Sequence, residues 1–271
     1  MFQILQKNTP FPDPFPKGAL VLIDKPYSWT SFSVVNKVRY LLAQRLGIKP
    51  KKLKVGHAGT LDPLATGLLI LCIGDYTKQI EGLQALSKTY TGVITFGATT
   101  PSFDLEKGVD ATFPTEHLTD DVVQAALPQF IGDIMQVPPV FSAVKVDGKR
   151  LYKNARTGET VEMPFRPVRV DSFTVGPLRR VAETAAQPPK VISQKGAAIM
   201  LHPDYPDGLQ LDFQVVCGKG TYIRSLANDL GQAVGSGAYL SSLRRTETGG
   251  FSVGDAWEMA AFEEWVKSEV P

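Results

Sequence analysis

Apolar and polar positions along the chain follow two rhythms. Residues 19–23 (ALVLI) form an unbroken apolar run suited to a buried strand, and Lys25-Pro26 ends it. From Thr30 the spacing turns helical, with Val34, Val35, Val38, Leu41, Leu42 and Leu46 on one face, Thr30 or Ser31 as N-cap and Gly47 to close. The polar face of that helix carries Lys37 and Arg45. Residues 89–97 alternate as a strand, placing Tyr90, Gly92, Ile94 and Phe96 on one side. Leu209–Cys217 alternates more cleanly still. After the turn Gly218-Lys219-Gly220, helical spacing returns through Ile223, Leu226, Ala227, Leu230 and Val234. A further helix is predicted over Thr119–Ile131, with Pro128 disturbing its end. An acidic amphipathic helix is predicted over Trp257–Val270, packed by Trp257, Phe262, Trp265 and Val266. Residues 184–208 hold four prolines and no sustained period, so they read as a loop insertion between strands. Residues 1–17, with four more prolines, read as an irregular arm. Strands and helices mixed without a βαβ rhythm predict an α+β fold.

Composition narrows the function classes. A chain of 271 residues with 43% hydrophobic content has a sizeable core, so disorder is excluded for most of it. No apolar run is long enough to span a bilayer and no signal peptide pattern opens the sequence, so a cytoplasmic protein is expected. Cys72 and Cys217 lie far apart inside apolar segments, which suits buried thiols; no metal-ligand spacing is present and no metal is expected.

The net charge of +2 hides an asymmetry. Lys25 to Leu61 contains eight basic residues (Lys25, Lys37, Arg39, Arg45, Lys49, Lys51, Lys52 and Lys54) and no acid. The last 21 residues hold five acids against Lys267 alone, leaving +6 on residues 1–250. A lysine run is commonly a solvated loop. This one immediately precedes a Gly-rich segment with one carboxylate, GHAGTLDPLATG (Gly56–Gly67), which is where a phosphate-binding lip beside a pocket would sit. In that segment Pro63 disfavours helix at Asp62 and holds the carboxylate in an extended or turn conformation. The residues alone are equally compatible with an Asx-turn aspartate. Gly218 and Gly220 in GKGTYIR could likewise only shape a strand-to-helix turn.

Taken together, GHAGTLDPLATG and CGKGTYIRSLANDLG resemble the bacterial TruB family of tRNA pseudouridine synthases. The resemblance extends through GALVLIDKPYSWTS, KTYTGVITFG, VPPVFSAVKVDGKRLYKNARTG (Val137–Gly158) and YLSSLRRTETGGF, covering most of residues 18–251. It implies the family's fold, a mixed and mostly antiparallel sheet flanked by helices and loops with a cleft across it. It also implies isomerisation of uridine 55 in the tRNA T-loop to pseudouridine after base flipping. Asp62 matches the catalytic aspartate, Arg224 the arginine that pairs with it, Tyr90 the tyrosine that stacks on the target base and Tyr222 a second pocket tyrosine. His57 matches a histidine that fills space in the RNA loop, Leu243 lines the pocket, and Lys25 with Pro26 supports the active-site loop. Lys78, Arg245 and the cluster holding Lys51, Lys52 and Lys54 are expected on phosphates.

The resemblance further implies no cofactor, a tRNA partner held by its T-arm, no guide RNA, no membrane, and action as a monomer. Many relatives carry a C-terminal PUA domain, and the residues after Phe251 are too few for one. The expected domains are therefore an arm (1–17), a catalytic domain (18–251) and a C-terminal helix (252–271). Two other readings remain. A glycoside hydrolase is opposed by the lack of a second carboxylate near Asp62, whereas an RNA chaperone that opens the tRNA elbow would be separable from catalysis.

Overall fold

The computed structural model describes residues 3–139, 145–146, 149–150, 164–181, 190–194 and 197–268. In chain order the strands are β1 (Gly18–Lys25), β2 (Val55–His57), β3 (Ala65–Gly74), β4 (Lys88–Phe96), β5 (Ala98–Thr99), β6 (Ala111–Thr112), β7 (Gly132–Gln136), β8 (Lys145–Val146), β9 (Lys149–Arg150), β10 (Arg166–Val175), β11 (Arg179–Arg180), β12 (Lys190–Gln194), β13 (Ala197–Leu201), β14 (Leu209–Cys217), β15 (Ala238–Thr248) and β16 (Phe251–Ser252). The helices are α1 (Ser31–Arg45), α2 (Ile80–Ala85), α3 (Asp120–Ala126), α4 (Ile223–Ala233) and α5 (Met259–Lys267). The fold is α+β, with a mixed sheet of mostly antiparallel strands: β1–β3, β2–β3, β10–β14 and β10–β7 all pair antiparallel. None of the described helices is long and apolar enough to cross a membrane.

The chain divides into two compact units, Met1–Tyr90 with Arg244–Pro271, and Thr91–Leu243. In the first, β1 and β3 pair along their whole length, from Gly18 opposite Gly74 to Lys25 opposite Gly67. Both strands are buried on both faces, which explains their unbroken apolar sequence. Ala19, Val21, Ile23, Leu69, Leu71 and Ile73 pack beneath α1 and α5, while Leu20, Leu22, Leu68, Ile70 and Cys72 pack with Leu83 of α2. Thr30 caps α1, its Oγ1 accepting from the Ser33 amide at 3.0 Å. The N-terminal arm is packed down: Trp257 Nε1 donates to the Leu5 carbonyl, Trp265 Nε1 donates to that of Thr9, and Phe11 stacks near Trp265. Trp257, Phe262, Trp265 and Val266 all join the core, although the helix itself begins only at Met259.

In the second unit β14 lies between β4 and β10, with β7 beyond β10. Leu211, Phe213, Val215 and Cys217 are buried while Asp212 and Gln214 are exposed, so the alternation marks a one-sided strand. Phe213, Phe173 and Phe130 meet edge-on in its core. Two expectations change. The helix predicted over Thr119–Ile131 is α3 followed by a 3-10 turn over Leu127–Phe130, because Pro128 cannot continue the α-helical ladder. The 184–208 loop contains a hairpin, β12 with β13, pairing Lys190 with Leu201 through to Gln194 with Ala197; the short runs KVISQ and AAIML are strand-forming once paired. Most of the Val137–Gly158 block lies outside the described residues.

Gly67 sits opposite Lys25 with φ +99°, and a Cβ there would lie 2.2 Å from the Arg245 carbonyl oxygen. Gly67→Ala is therefore expected to cost more than about 2 kcal/mol, through both left-handed strain and backbone overlap. Urea unfolding of the variant against wild type measures it.

Candidate active site

Asp62 occupies the loop between β2 and β3, half-buried, with the backbone on either side of it pinned. On the N-terminal side the Leu61 amide donates to Ser31 Oγ at 2.8 Å and that hydroxyl donates back to the Leu61 carbonyl at 3.1 Å. On the C-terminal side the Pro63 carbonyl accepts from the Ser28 amide at 3.0 Å and from Lys25 Nζ at 3.3 Å. The Asp62 carbonyl itself accepts from the Ala65 amide, closing a turn. Ser31 is the first residue of α1, so the helix N-terminus anchors the loop directly.

Lys25 is fully buried, and its ammonium donates to the carbonyls of Pro26, Trp29 and Pro63. It is a fastener and is shielded from RNA. Burial pulls its pKa from 10.5 down to about 8, with Arg245 also lowering it and the charges of Asp62 and Asp24 opposing the fall. Arg245, expected on a phosphate, is instead 1% exposed; its Nε donates to the Leu68 carbonyl at 2.7 Å and its Nη2 to that of Gly59 at 3.2 Å. It braces the other end of the Asp62 loop and is shielded from solvent. Arg244 beside it holds Asp24 through two nitrogen–oxygen contacts of 3.0 and 2.6 Å. His57 ends β2, partly buried, and its Nδ1 has no hydrogen-bond partner among the described residues. Burial and the Arg245 charge depress its pKa, so at neutral pH it is an uncharged ring. Tyr90 is 9% exposed on β4.

In the second unit, Arg224 is not a surface arginine. It is 4% exposed, donates from Nη1 to the Ser102 carbonyl at 3.1 Å, and lies 3.5 Å from the Asp104 carboxylate. Asp104 is fixed in turn: its Oδ1 accepts from the Glu106 amide and its backbone carbonyl accepts from Thr100 Oγ1 and Ser102 Oγ. Tyr222, half-buried, precedes α4 and is gripped by Gln136, whose amide side chain both accepts from its N–H and donates to its carbonyl. Leu243 is half-buried on β15. Lys51, Lys52 and Lys54 are exposed, the first two on the 3-10 turn Pro50–Lys52. Lys78 is exposed and 3.7 Å from Asp75, a surface pair too weak to withhold it from an anion. Lys25, His57, Asp62 and Arg245 thus gather in one unit; Tyr222 and Arg224 gather in the other. Ser31, Asp104 and Gln136 were not singled out in the sequence as site residues. Their only sequence signals are hydroxyl-rich or polar positions beside apolar runs, which caps and turns share. Among the described residues no cluster of His, Cys, Asp or Glu has the arrangement of a metal site.

The architecture is that of solved chains in a Cbf5-Nop10-Gar1 complex (TM-score 0.59, 23% identity, covering 98% of this chain) and in an H/ACA RNP bound to a substrate RNA (TM-score 0.54, 22% identity, covering 90%). This chain spans 64% and 51% of those two chains respectively. Residues 44–223 match the model of the TruB family pseudouridylate synthase N-terminal domain, and residues 224–269 match the tRNA pseudouridylate synthase B C-terminal domain. The chain belongs to the TruB family of pseudouridylate synthases. It is 46% identical to tRNA pseudouridine synthase B of Flavobacterium johnsoniae, over 93% of this chain and 98% of that one. It is also 46% identical to the protein of the same name from Phocaeicola vulgatus, over 94% and 96%.

Two outcomes test this geometry. Below pH 8 Lys25 is charged in both the folded and unfolded chain, and the fold bears the cost of burying the charge. Between pH 8 and 10.5 the folded chain gives up the proton first, so stability contributed by this group rises with pH, by about 3 kcal/mol across the window. Urea titrations of wild type and Lys25→Met at several pH values should show that rise only in wild type. Asp104→Ala removes a carboxylate 3.5 Å from the buried Arg224 guanidinium and is expected to cost about 1.5–3 kcal/mol, against a smaller loss for Asp104→Asn, read in the same assay.

Proposed function

We propose that this protein isomerises uridine 55 in the T-loop of tRNA to pseudouridine, with Asp62 as its catalytic residue. The reading is supported above all by the loop geometry: the only carboxylate in GHAGTLDPLATG stands between two pinned peptide units, in a chain that matches 98% of a relative named tRNA pseudouridine synthase B. The reaction breaks the C1′–N1 bond, turns the base and joins C1′ to C5; the C5 proton leaves and N1 gains one, so no atom is added and no redox cofactor is consumed. A carboxylate held on a rigid loop can stabilise or capture the electron-poor sugar or the base while the glycosidic bond is open.

The uridine must leave the loop stack first, at a cost of a few kcal/mol. Neutral His57 fills space left in the RNA loop, Tyr90 stacks on the extracted base, and Tyr222 and Leu243 complete the pocket. By its match to the family, Arg224, fixed beside Asp104, is assigned the role of the arginine that pairs with the catalytic aspartate. Lys51, Lys52, Lys54 and Lys78 take phosphates, while Lys25 and Arg245 act only through the loop they brace. The protein works on the T-arm of tRNA as a monomer in the cytoplasm, without a guide RNA.

Asp62→Asn should lower pseudouridine formation by at least 1,000-fold, followed by tritium release from tRNA labelled at uridine C5, with tRNA affinity within threefold of wild type. Turnover within tenfold of wild type would remove Asp62 from the chemistry.

A further inference from the structure

The outer face of α1 carries a feature that catalysis does not use. Phe32 and Tyr40 are 63% and 58% exposed, although the core-facing side of the same helix is filled by Val34, Val35, Val38, Leu41 and Leu42. The charged side chains of α1 are each engaged within the unit. Lys37 pairs with Glu263 at 2.6 Å, Arg45 lies over the Phe11 ring, and Arg39 donates to Asn36 and to the Val55 carbonyl. Two large rings are therefore left facing water. The face starts one residue from Ser31, the anchor of the catalytic loop, and Tyr40 lies about 12 Å farther along the helix axis.

The Arg39 bond to Val55 ties α1 to the start of β2, next to a run in which Lys49, Lys51, Lys52 and Lys54 are all exposed and have no carboxylate within ion-pair distance among the described residues. No acidic residue occurs anywhere from Lys25 to Leu61. A second copy docked face to face would set lysine against lysine, whereas a polyanion with exposed bases satisfies both features. Paired stems hide their base faces; unpaired nucleotides offer them to aromatic rings.

We propose that Phe32 and Tyr40, with Lys49, Lys51, Lys52 and Lys54, form a second RNA-binding surface that takes unpaired nucleotides of intact tRNA lying outside the target loop, bases on the rings and phosphates on the lysines. This rests on tRNA being the substrate. In an isolated T-arm the unpaired nucleotides are those of the loop that must be presented to Asp62, so that RNA leaves the α1 surface empty.

The test measures equilibrium binding of unmodified full-length tRNA and of an isolated T-arm hairpin across a salt series. For Phe32→Ala/Tyr40→Ala the dissociation constant for intact tRNA should rise about tenfold, that for the T-arm should stay within twofold, and the salt slope should not change. Phe32→Leu/Tyr40→Leu, which keeps apolar helix-forming groups but no rings, should behave alike and guards against a folding defect. Lys51→Ala/Lys52→Ala should reduce the slope by about two. Unchanged affinity for intact tRNA overturns the proposal, as does an equal loss on both RNAs. Wild type that is dimeric by light scattering and becomes monomeric in the ring variants overturns it too, in favour of self-association. Wild type that binds tRNA but forms no pseudouridine in either RNA would instead defeat the functional reading, leaving the binding comparison to stand by itself.

Discussion

A buried ammonium holds the Asp62 loop in place. Lys25 gathers the carbonyls of Pro26, Trp29 and Pro63, which belong to two segments far apart in sequence, from a fully buried position. Isolated in an apolar interior such a charge would be prohibitive; three acceptors and the nearby charges of Asp62 and Asp24 make it tolerable, at the expense of its basicity. Ser31 on one side and Arg245 on the other complete the restraint. Asp62 is thereby held on backbone that does not have to be ordered when a substrate arrives.

The second unit solves the same problem with different parts. Arg224 is inside α4 and leans on a loop whose own hydroxyls and amides are spent on fixing Asp104. Phe103 in that loop has φ +58°, a conformation bulky residues rarely adopt, and its carbonyl accepts from the Leu240 amide. Strain of this kind persists only where surrounding bonds over-determine it. Both units therefore fix their candidate site side chains against irregular backbone made rigid by buried polar contacts.

How much of this was legible in the sequence depends on whether the cause was local. β14 matches its predicted limits because a strand with one buried face writes its period into the chain. α1 begins where Thr30 and Ser31 allow a cap, and the GHAGTLDPLATG loop stood out because glycine, proline and one carboxylate are unusual company. Arg245, expected on a phosphate, is inside because the carbonyls of Gly59 and Leu68, some 180 residues earlier, hold it there, and so distant a cause leaves no local mark in the sequence. The β12–β13 hairpin escaped because each strand is short and gains its stability from pairing. Lys37 and Arg45 were correctly placed on the polar face of α1, but their engagement by Glu263 and Phe11, which exposes the aromatic side, depends on the far ends of the chain.

The unit that carries Asp62 is built from Met1–Tyr90 and Arg244–Pro271, with its arm fastened to Trp257 and Trp265. During synthesis the Asp62 loop leaves the ribosome early, yet its brace at Arg245 comes late. The intervening unit, Thr91–Leu243, is continuous in sequence. A nascent chain stalled short of β15 thus holds the Asp62 carboxylate on an unfinished loop, and the order of translation postpones completion of that loop until Arg245 has been made.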